Sequence, residues 1–358
     1  MKKIISVAPG RTCLFGDHQD YLGLPVIACA ISRRVKLTAE QNNARVFQLN
    51  MLDIDQTRTI DIDEIFSELE PRDYFASALR VLRRHGLIPN VGFDITITGD
   101  IPINSGTSSS SALLLAWINF LVTAFHVDDE VTPEFISNIG YLSEVVEHGE
   151  PGGMMDHYSI GVGNIVHIDT RNPFSFTVIG TKLEGLVTGV SGVPKETIGL
   201  LGEVKGNALW SIEIIKQNFK NFDLMKTEID DLKYLKNYLP DHLVPYFDAA
   251  VKNHYYTKMA LIEFQKPVLN LKKIGGLMNQ HHAVLRDLLK ITVPRIDAMI
   301  DAALKAGAYG AKIVGSGGGG SIVAMVEPGK ESQVAQAMIG AGALEAYAVT
   351  VDPGARIL

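Results

Sequence analysis

The amino-acid sequence predicts an α+β protein built as two lobes, on three observations. Short β-branched or alternating apolar segments dominate the chain as far as Asp169. Longer, more polar helical segments follow. Two strands joined by a run of glycines stand near the C-terminal end, over 310–326. Strands first and helices later is the pattern of an α+β chain, not of a regular β-α alternation. The change in composition near residues 180–190 sets an N-terminal lobe at 1–185 and a C-terminal lobe at 186–358.

Composition narrows the class. The 358 residues are 46% hydrophobic and 20% charged, with a formal net charge of −7, so the chain can bury a proper core and is not a disordered segment. An acidic balance without a dense Lys/Arg run argues against nucleic acid as a partner. The apolar stretch 112–125 is interrupted by Asn119 and Thr123 and is shorter than the roughly 20 residues a membrane span needs, so no membrane partner is expected either. Two cysteines, Cys13 and Cys29, sit in apolar surroundings and read as small core residues of a reducing compartment. With no apolar signal segment after Met1-Lys2-Lys3, the expected location is cytoplasmic.

Element by element, Lys3–Val7 reads as a strand that Pro9-Gly10 ends. Val26–Ile31 and Val35–Ala39 are the next apolar runs, and Val46–Asn50 and Thr57–Ile62 alternate as exposed strands do. Phe75, Ala76, Leu79 and Leu82 fall at helical spacing within 73–85, with Gly86 as the stop. Val91–Thr98 alternates as a half-buried strand. A small-residue loop over 100–111 then feeds a helix to about Phe125, in which Trp117 and Phe120 read as core, and a second helix spans 133–147. Ile165–Asp169 is a strand; 208–219 and 226–239 are helix candidates. Strands 310–314 and 321–326, a helix over 331–341 and a strand over 345–351 close the chain.

Four segments carry candidate chemistry. In Asn104-Ser105-Gly106-Thr107-Ser108-Ser109-Ser110-Ser111, small hydroxyl residues run straight into an apolar helix. An anion could approach that backbone closely, at the positive end of the helix. A Ser-rich helix cap in solvent is the plain alternative. Gly315-Ser316-Gly317-Gly318-Gly319-Gly320 fits G-x-G-x-x-G, but a strand follows it where a dinucleotide loop requires a helix; it reads as a backbone-rich turn between strands, approached by another segment or a ligand. Arg11 with Asp17-His18-Gln19-Asp20-Tyr21 is a polar packet between apolar segments, either a surface turn or a site suited to a polyhydroxylated ligand. Glu144 and Asp156 bracket a glycine- and methionine-containing loop and are either surface acids or a metal ligand and a base. The histidines His148, His157, His281 and His282 show no metal-ligand spacing and read as ordinary.

Taken together, the four segments resemble the GHMP kinase family, and within it the galactokinase branch. Residues 8–21, Ala-Pro-Gly-Arg-Thr-Cys-Leu-Phe-Gly-Asp-His-Gln-Asp-Tyr, are similar without a gap to Gly-Arg-Val-Asn-Leu-Ile-Gly-Glu-His-Thr-Asp-Tyr. The serine loop is similar to the second family motif, and 310–321 to the third, Gly-Ala-Arg-Met-Thr-Gly-Gly-Gly-Phe-Gly-Gly-Cys. Asp156 falls on the aspartate of Gly-Ile-Met-Asp. The motifs span 8–326, most of the chain.

The resemblance implies a GHMP kinase fold with a mixed α/β N-terminal lobe, a ferredoxin-like C-terminal lobe and the site in the cleft between them. It implies ATP and Mg²⁺ as cofactors and phosphorylation of a sugar, galactose or a galactose-like one, at the 1-position by a monomer or homodimer. Asp156 matches the catalytic base and Arg11 its basic partner. Asp17, His18, Asp20 and Gly153 match sugar contacts. Asn104, Ser105, Gly106, Thr107, Ser108, Ser109 and Ser110 match the nucleotide loop, and Ser110 and Glu144 the metal ligands.

The chain departs from that pattern at Asp17, one methylene shorter than the usual Glu, at Gln19 for Thr, and at Leu24 for a frequent Gly. The tyrosine that packs at the sugar in galactokinases has no counterpart, Gly202-Glu203-Val204-Lys205 occupying that region. Mevalonate kinases share Ala-Pro-Gly and Leu-Phe-Gly-Asp-His but carry Lys at the position of Arg11 and lack the acid of Asp20. A mevalonate-type or other small-molecule kinase of the family, and a non-catalytic sugar or nucleotide sensor, are the alternative readings.

Overall fold

The computed structural model describes residues 3–103, 105–150, 152–194 and 197–358. The first lobe is an eight-stranded sheet with strands β1 (Lys3–Phe15), β2 (Val26–Gln41), β3 (Val46–Met51), β4 (Gln56–Asp61), β5 (Phe93–Gly99), β6 (Ile165–Asp169) and β7 (Ser175–Ile179), joined by the last strand of the chain. Helices α1 (Tyr74–Arg83), α2 (Ser109–Ala124), α3 (Pro133–Tyr141) and α4 (Met155–Val162) belong to it. Phe47, Phe93, Trp117 and Phe120 pack edge-on and tilted in the core between sheet and helices, so both aromatic residues of α2 are core residues.

β1 does not stop at Pro9-Gly10, as the sequence led us to expect, but runs on to Phe15. The ladder with β2 slips at that point, Pro9 facing Arg34 and Gly10 facing Ile31. A bulge is where a strand tolerates the missing proline N–H. It also lets the strand bend toward the serine loop: a Cβ on Gly10 would stand 2.9 Å from the Thr107 carbonyl oxygen. The two apolar runs of 26–39 are likewise one strand, β2, whose first part pairs β6 and whose second part pairs β5.

The second sheet begins with β8 (Leu186–Val190). The helices α5 (Thr197–Asn218), α6 (Leu232–Leu235), α7 (Val244–Phe264), α8 (Leu271–Asp287) and α9 (Pro294–Lys305) follow, then β9 (Gly310–Ile313), β10 (Ser321–Met325), α10 (Glu331–Gly340) and β11 (Glu345–Val349); β12 (Arg356–Ile357) returns to pair β1. The strand order β11-β8-β10-β9, all antiparallel, is the ferredoxin-like arrangement. The stretch 226–239 is not one helix but 3₁₀ turns around the short α6, and α7, α8 and α9 lie in a region the sequence pattern left unassigned. A cluster of Ile212, Ile215, Leu232, Leu235, Phe247 and Val251 fills the helical part and takes in Leu24, which is fully buried. Burying a leucine stabilises by about 2 kcal/mol. Leu24 thereby fastens the 17–24 loop to the helices, which is the structural sense of its departure from glycine.

Candidate active site

Arg11 leaves β1 just beyond the bulge and is only 4% exposed. A guanidinium so buried is tolerable only when paired and hydrogen-bonded. Nε donates to Asp156 Oδ1 and Nη2 to Asp156 Oδ2, both at 2.7 Å, while Nη1 donates to the Gly106 carbonyl at 2.5 Å. The Arg11 backbone N–H donates to the Thr107 carbonyl at 3.1 Å. One side chain thus ties together the first strand, the serine loop and the first turn of α4.

Ser108 precedes α2 in a left-handed conformation (φ 60°, ψ 53°) and makes no side-chain cap. Its Oγ donates instead to Asp156 Oδ2 at 2.5 Å. The first turn of the sixteen-residue helix α2 carries no acidic residue of its own, and its positive end faces the loop. Ser105 and Thr107 are buried, and their hydroxyls bond each other at 2.7 Å. Ser109 and Ser110 lie at the helix start. Asn104, counted with this loop from sequence, lies outside the described residues.

Burial pushes the Asp156 carboxyl up, but the Arg11 charge and the hydrogen bonds from Arg11 and Ser108 outweigh it and hold the group at about 2. Asp20 is the opposite case: burial, reinforced by the negative charge of Asp156, raises it to about 6. Asp20 lies against Gly153, where an added Cβ would fall 2.0 Å from Asp20 Oδ2. Gly153 is the residue type that this approach requires.

The packet around Asp17 is a polar site and not a surface turn: Arg11, Asp17, His18 and Gln19 are all buried. Asp17 accepts the Gly315 N–H at 2.6 Å and pairs with Lys312 Nζ at 2.5 Å. Burial raises the Asp17 carboxyl, and Lys312, with His281 and Gly315, brings it below the ordinary value. His18 (φ 61°) shares a hydrogen bond with the Tyr21 hydroxyl at 2.9 Å and one with the Ser316 carbonyl at 3.1 Å. Gln19 is structural, donating to the Pro25 carbonyl and accepting from Thr257 of α7.

The helix expected over 133–147 is present, α-helical to Tyr141 and widened to a π turn over Leu142–Val146. Such turns insert a residue and re-aim the side chains around it. Here Glu144 reaches α2: its Oε1 accepts from Ser110 at 3.0 Å and its Oε2 from Ser111 at 2.7 Å, and His157 Nε2 meets Oε2 at 2.8 Å. The oxygens of Glu144 and Ser110 are a hard donor set of the kind Mg²⁺ takes.

One cavity holds the Arg11–Asp156 pair in its wall and another opens at the start of α2. The first, of about 210 Å³, is lined by Arg11, Asp17, His18, Asp20, Gly153 and Asp156 among others, with Leu201 of α5 on one side and Gly315 and Ser316 of the glycine turn on another. The second, of about 250 Å³, is mostly apolar and lies between Met51, Ile54, Ile97, Ile101 and Leu113, with Ser109 and Ser110 on its wall. The glycine turn is shaped by protein segments: a Cβ on Gly317 would meet the Ile291 carbonyl at 2.5 Å and one on Gly319 the Val193 carbonyl at 2.6 Å.

Sequence reading therefore found Arg11, Asp17, His18, Asp20, Gly153 and Asp156, which meet around one cavity, and Ser108, Ser110 and Glu144 beside it. It gave Ser111 no role of its own beyond the serine loop, and it missed Lys312 and the contact of His157, which it took as ordinary. A lysine in the middle of the apolar strand 310–314 and a histidine directly after Asp156 were the available signals.

The chain matches three family models: the galactokinase galactose-binding signature over residues 1–40, the GHMP kinases N terminal domain over 73–164, and the GHMP kinases C terminal over 261–343. It is 27% identical over 364 residues to the mevalonate kinase of Thermococcus onnurineus, covering 99% of this chain and 98% of that one. It is 26% identical over 348 residues to the galactokinase of Limosilactobacillus reuteri, covering 91% of this chain and 86% of that one. In fold it resembles Lactococcus lactis galactokinase complexed with galactose, with a TM-score of 0.86, 23% identity and coverage of 100% and 95% of the two chains. It also resembles Methanococcus jannaschii mevalonate kinase, with a TM-score of 0.73, 21% identity and coverage of 98% and 99%.

Proposed function

This chain belongs to the GHMP kinase family, a family of phosphotransferases, and from that premise we propose that it transfers the γ-phosphoryl group of ATP to the anomeric hydroxyl of galactose or a galactose-like monosaccharide. The observation that carries this reading is the Arg11–Asp156–Ser108 arrangement at the wall of an acid-lined cavity. Asp17, Asp20, Glu144, Glu150 and Asp156 line it; the two arginines that do so, Arg11 and Arg72, already serve Asp156 and Glu150. Carboxylates suit neutral hydroxyls as acceptors and repel an anionic substrate.

In this reading the sugar lies among Asp17, His18, Asp20 and Gly153, between lobes 1–185 and 186–358. The purine ring occupies the apolar cavity, and the triphosphate runs along the serine loop to the start of α2. Asp156 Oδ2 already accepts two hydrogen bonds and Oδ1 one, so Oδ1 is the oxygen that takes the sugar hydroxyl. The sugar oxygen bonds to the γ-phosphorus as the bond to the β-phosphate oxygen breaks. A carboxylate held near 2 is a weak base, so it orients the hydroxyl first and receives the proton once bonding to phosphorus has acidified it. Arg11 holds that carboxylate in place and, with the helix dipole, offsets developing charge. Ser110 and Glu144 would hold Mg²⁺, which supplies charge neutralisation on the phosphates when bound.

A second reading, a hydroxy acid such as mevalonate as substrate, is favoured by the Thermococcus onnurineus relative and by Lys205, whose ammonium lies 5.6 Å from the ring of Tyr21 at the same cavity. An ADP-release assay with ATP and Mg²⁺ on a panel of monosaccharides plus mevalonate separates the two. Turnover confined to galactose-type sugars is expected. Turnover with mevalonate overturns the substrate assignment, and nucleotide binding without any turnover favours a sensor.

A further inference from the structure

We propose that Lys312, on β9 of the C-terminal sheet, is a positioning residue that holds Asp17 against the sugar cavity and so makes sugar affinity depend on the glycine turn of the other lobe. The inference rests on the sugar-kinase reading and deepens it.

Lys312 and Asp17 are both fully buried side chains, and their charged atoms lie 2.5 Å apart. Lys312 Nζ also donates to the carbonyls of Cys13 at 3.0 Å and Ile313 at 2.7 Å. The ammonium thus has three oxygen partners, two of them on the 13–17 segment that leads from Arg11 into the sugar loop. Asp17 Oδ1 in turn receives the Gly315 N–H, and the next residue, His18, meets the carbonyl of Ser316. Two successive residues of the sugar loop are therefore pinned to two successive residues of the glycine turn. Lys312 supplies a full positive charge to that set of contacts. Removing one partner of a buried ion pair leaves the other charge uncompensated, and the uncompensated group must move or take up a proton.

The groups that face Asp17 are Lys312 from β9, His281 and His282 from α8, and Cys13 and Arg11 from β1, with Asp20 on its own loop. His281 is held far below its ordinary range, to about 3, by burial first and by Lys312 second, so beside Lys312 it is neutral and Lys312 carries the charge that Asp17 meets. Without Lys312, burial and the neighbouring Asp20 drive Asp17 toward its neutral form. A positioning role then shows as a new acid limb in sugar binding, which a purely structural lysine does not produce.

The test compares the unaltered enzyme with Lys312→Gln, Lys312→Met and Lys312→Arg, reading kcat, the KM for sugar and for ATP, and the pH profile of kcat/KM for sugar. The Gln variant keeps a hydrogen-bond donor at the site and guards against a Met variant that fails to fold. The expected result for Gln is a sugar KM raised by roughly tenfold or more, with kcat and the ATP KM within about threefold. A second acid limb appears beside the one that Asp20 gives the unaltered enzyme, and Arg restores the sugar KM in large part. An unchanged sugar KM and pH profile, whatever happens to thermal stability, overturns the proposal, as does an equal loss in kcat and both KM values. If the unaltered enzyme turns over no sugar, the sugar-kinase reading itself has failed, which is a distinct result from either.

Discussion

Arg11 and Asp156, 145 positions apart in the chain, face each other through two parallel hydrogen bonds of 2.7 Å, a planar fork on a planar carboxylate. Such a bidentate pair fixes orientation as well as charge, and an ammonium does not reproduce it. Asp156→Asn is expected to lower kcat by about 10²–10⁴ with little change in the sugar KM, because the amide retains the volume but takes no proton. Near-normal turnover in steady-state assays would remove Asp156 from the role of base. Arg11→Lys is expected to fold and to lose at least about tenfold in kcat, since one ammonium cannot serve both Asp156 oxygens and the Gly106 carbonyl.

Ser108 combines a strained backbone with a functional hydroxyl, so two substitutions separate the contributions. Ser108→Ala removes the hydrogen bond to Asp156 Oδ2 and keeps the left-handed cost; Ser108→Gly removes both. The Gly variant is expected to be the more stable of the two by about 1 kcal/mol in chemical denaturation. Both are expected to lose kcat to a similar extent. Full activity in either would show that the serine serves only the loop.

Asp20 predicts a conflict between stability and binding. Its folded-state value of about 6 lies above the ordinary 3.8, so the folded protein holds a proton there that the unfolded chain has lost. Its contribution to stability therefore falls as pH rises through the window from 3.8 to about 6, and the full cost is present above it. Asp20→Asn is expected to raise Tm by about 2–4 °C at neutral pH while weakening sugar binding. In the unaltered enzyme the sugar KM should rise as pH falls through about 6, a limb that Asp156, held at about 2, does not supply. Calorimetry and a pH series on both proteins check the pair of effects.

Gly153→Ala tests the close approach to Asp20. The added methyl group would lie 2.0 Å from Oδ2, so the carboxylate must move. An increase in sugar KM of roughly 10–100-fold is expected, with the ATP KM unchanged. Leu113→Trp is its counterpart in the apolar cavity, expected to raise the ATP KM and leave the sugar KM alone. If the two effects were exchanged, the assignment of the cavities would be reversed.

Sequence alone determined the two-lobed α+β class, the run of strands around the serine loop, and the identity of most polar groups in the site. Those features are written locally, in alternation of apolar residues, in glycines where backbone crowding demands them, and in charged residues set between apolar segments. Tertiary structure decided what local patterns cannot express. That Pro9-Gly10 bends β1 and does not end it depends on the slip against β2, and that Glu144 meets Ser110, Ser111 and His157 depends on a π turn at the end of α3. The pairing of Asp17 with Lys312 could not be read from either residue, because the ion pair joins the loop after β1 to a strand of the other sheet, which no sequence period relates. A buried charge declares only that it needs a partner; which partner it has is settled by where the chain brings its distant segments together.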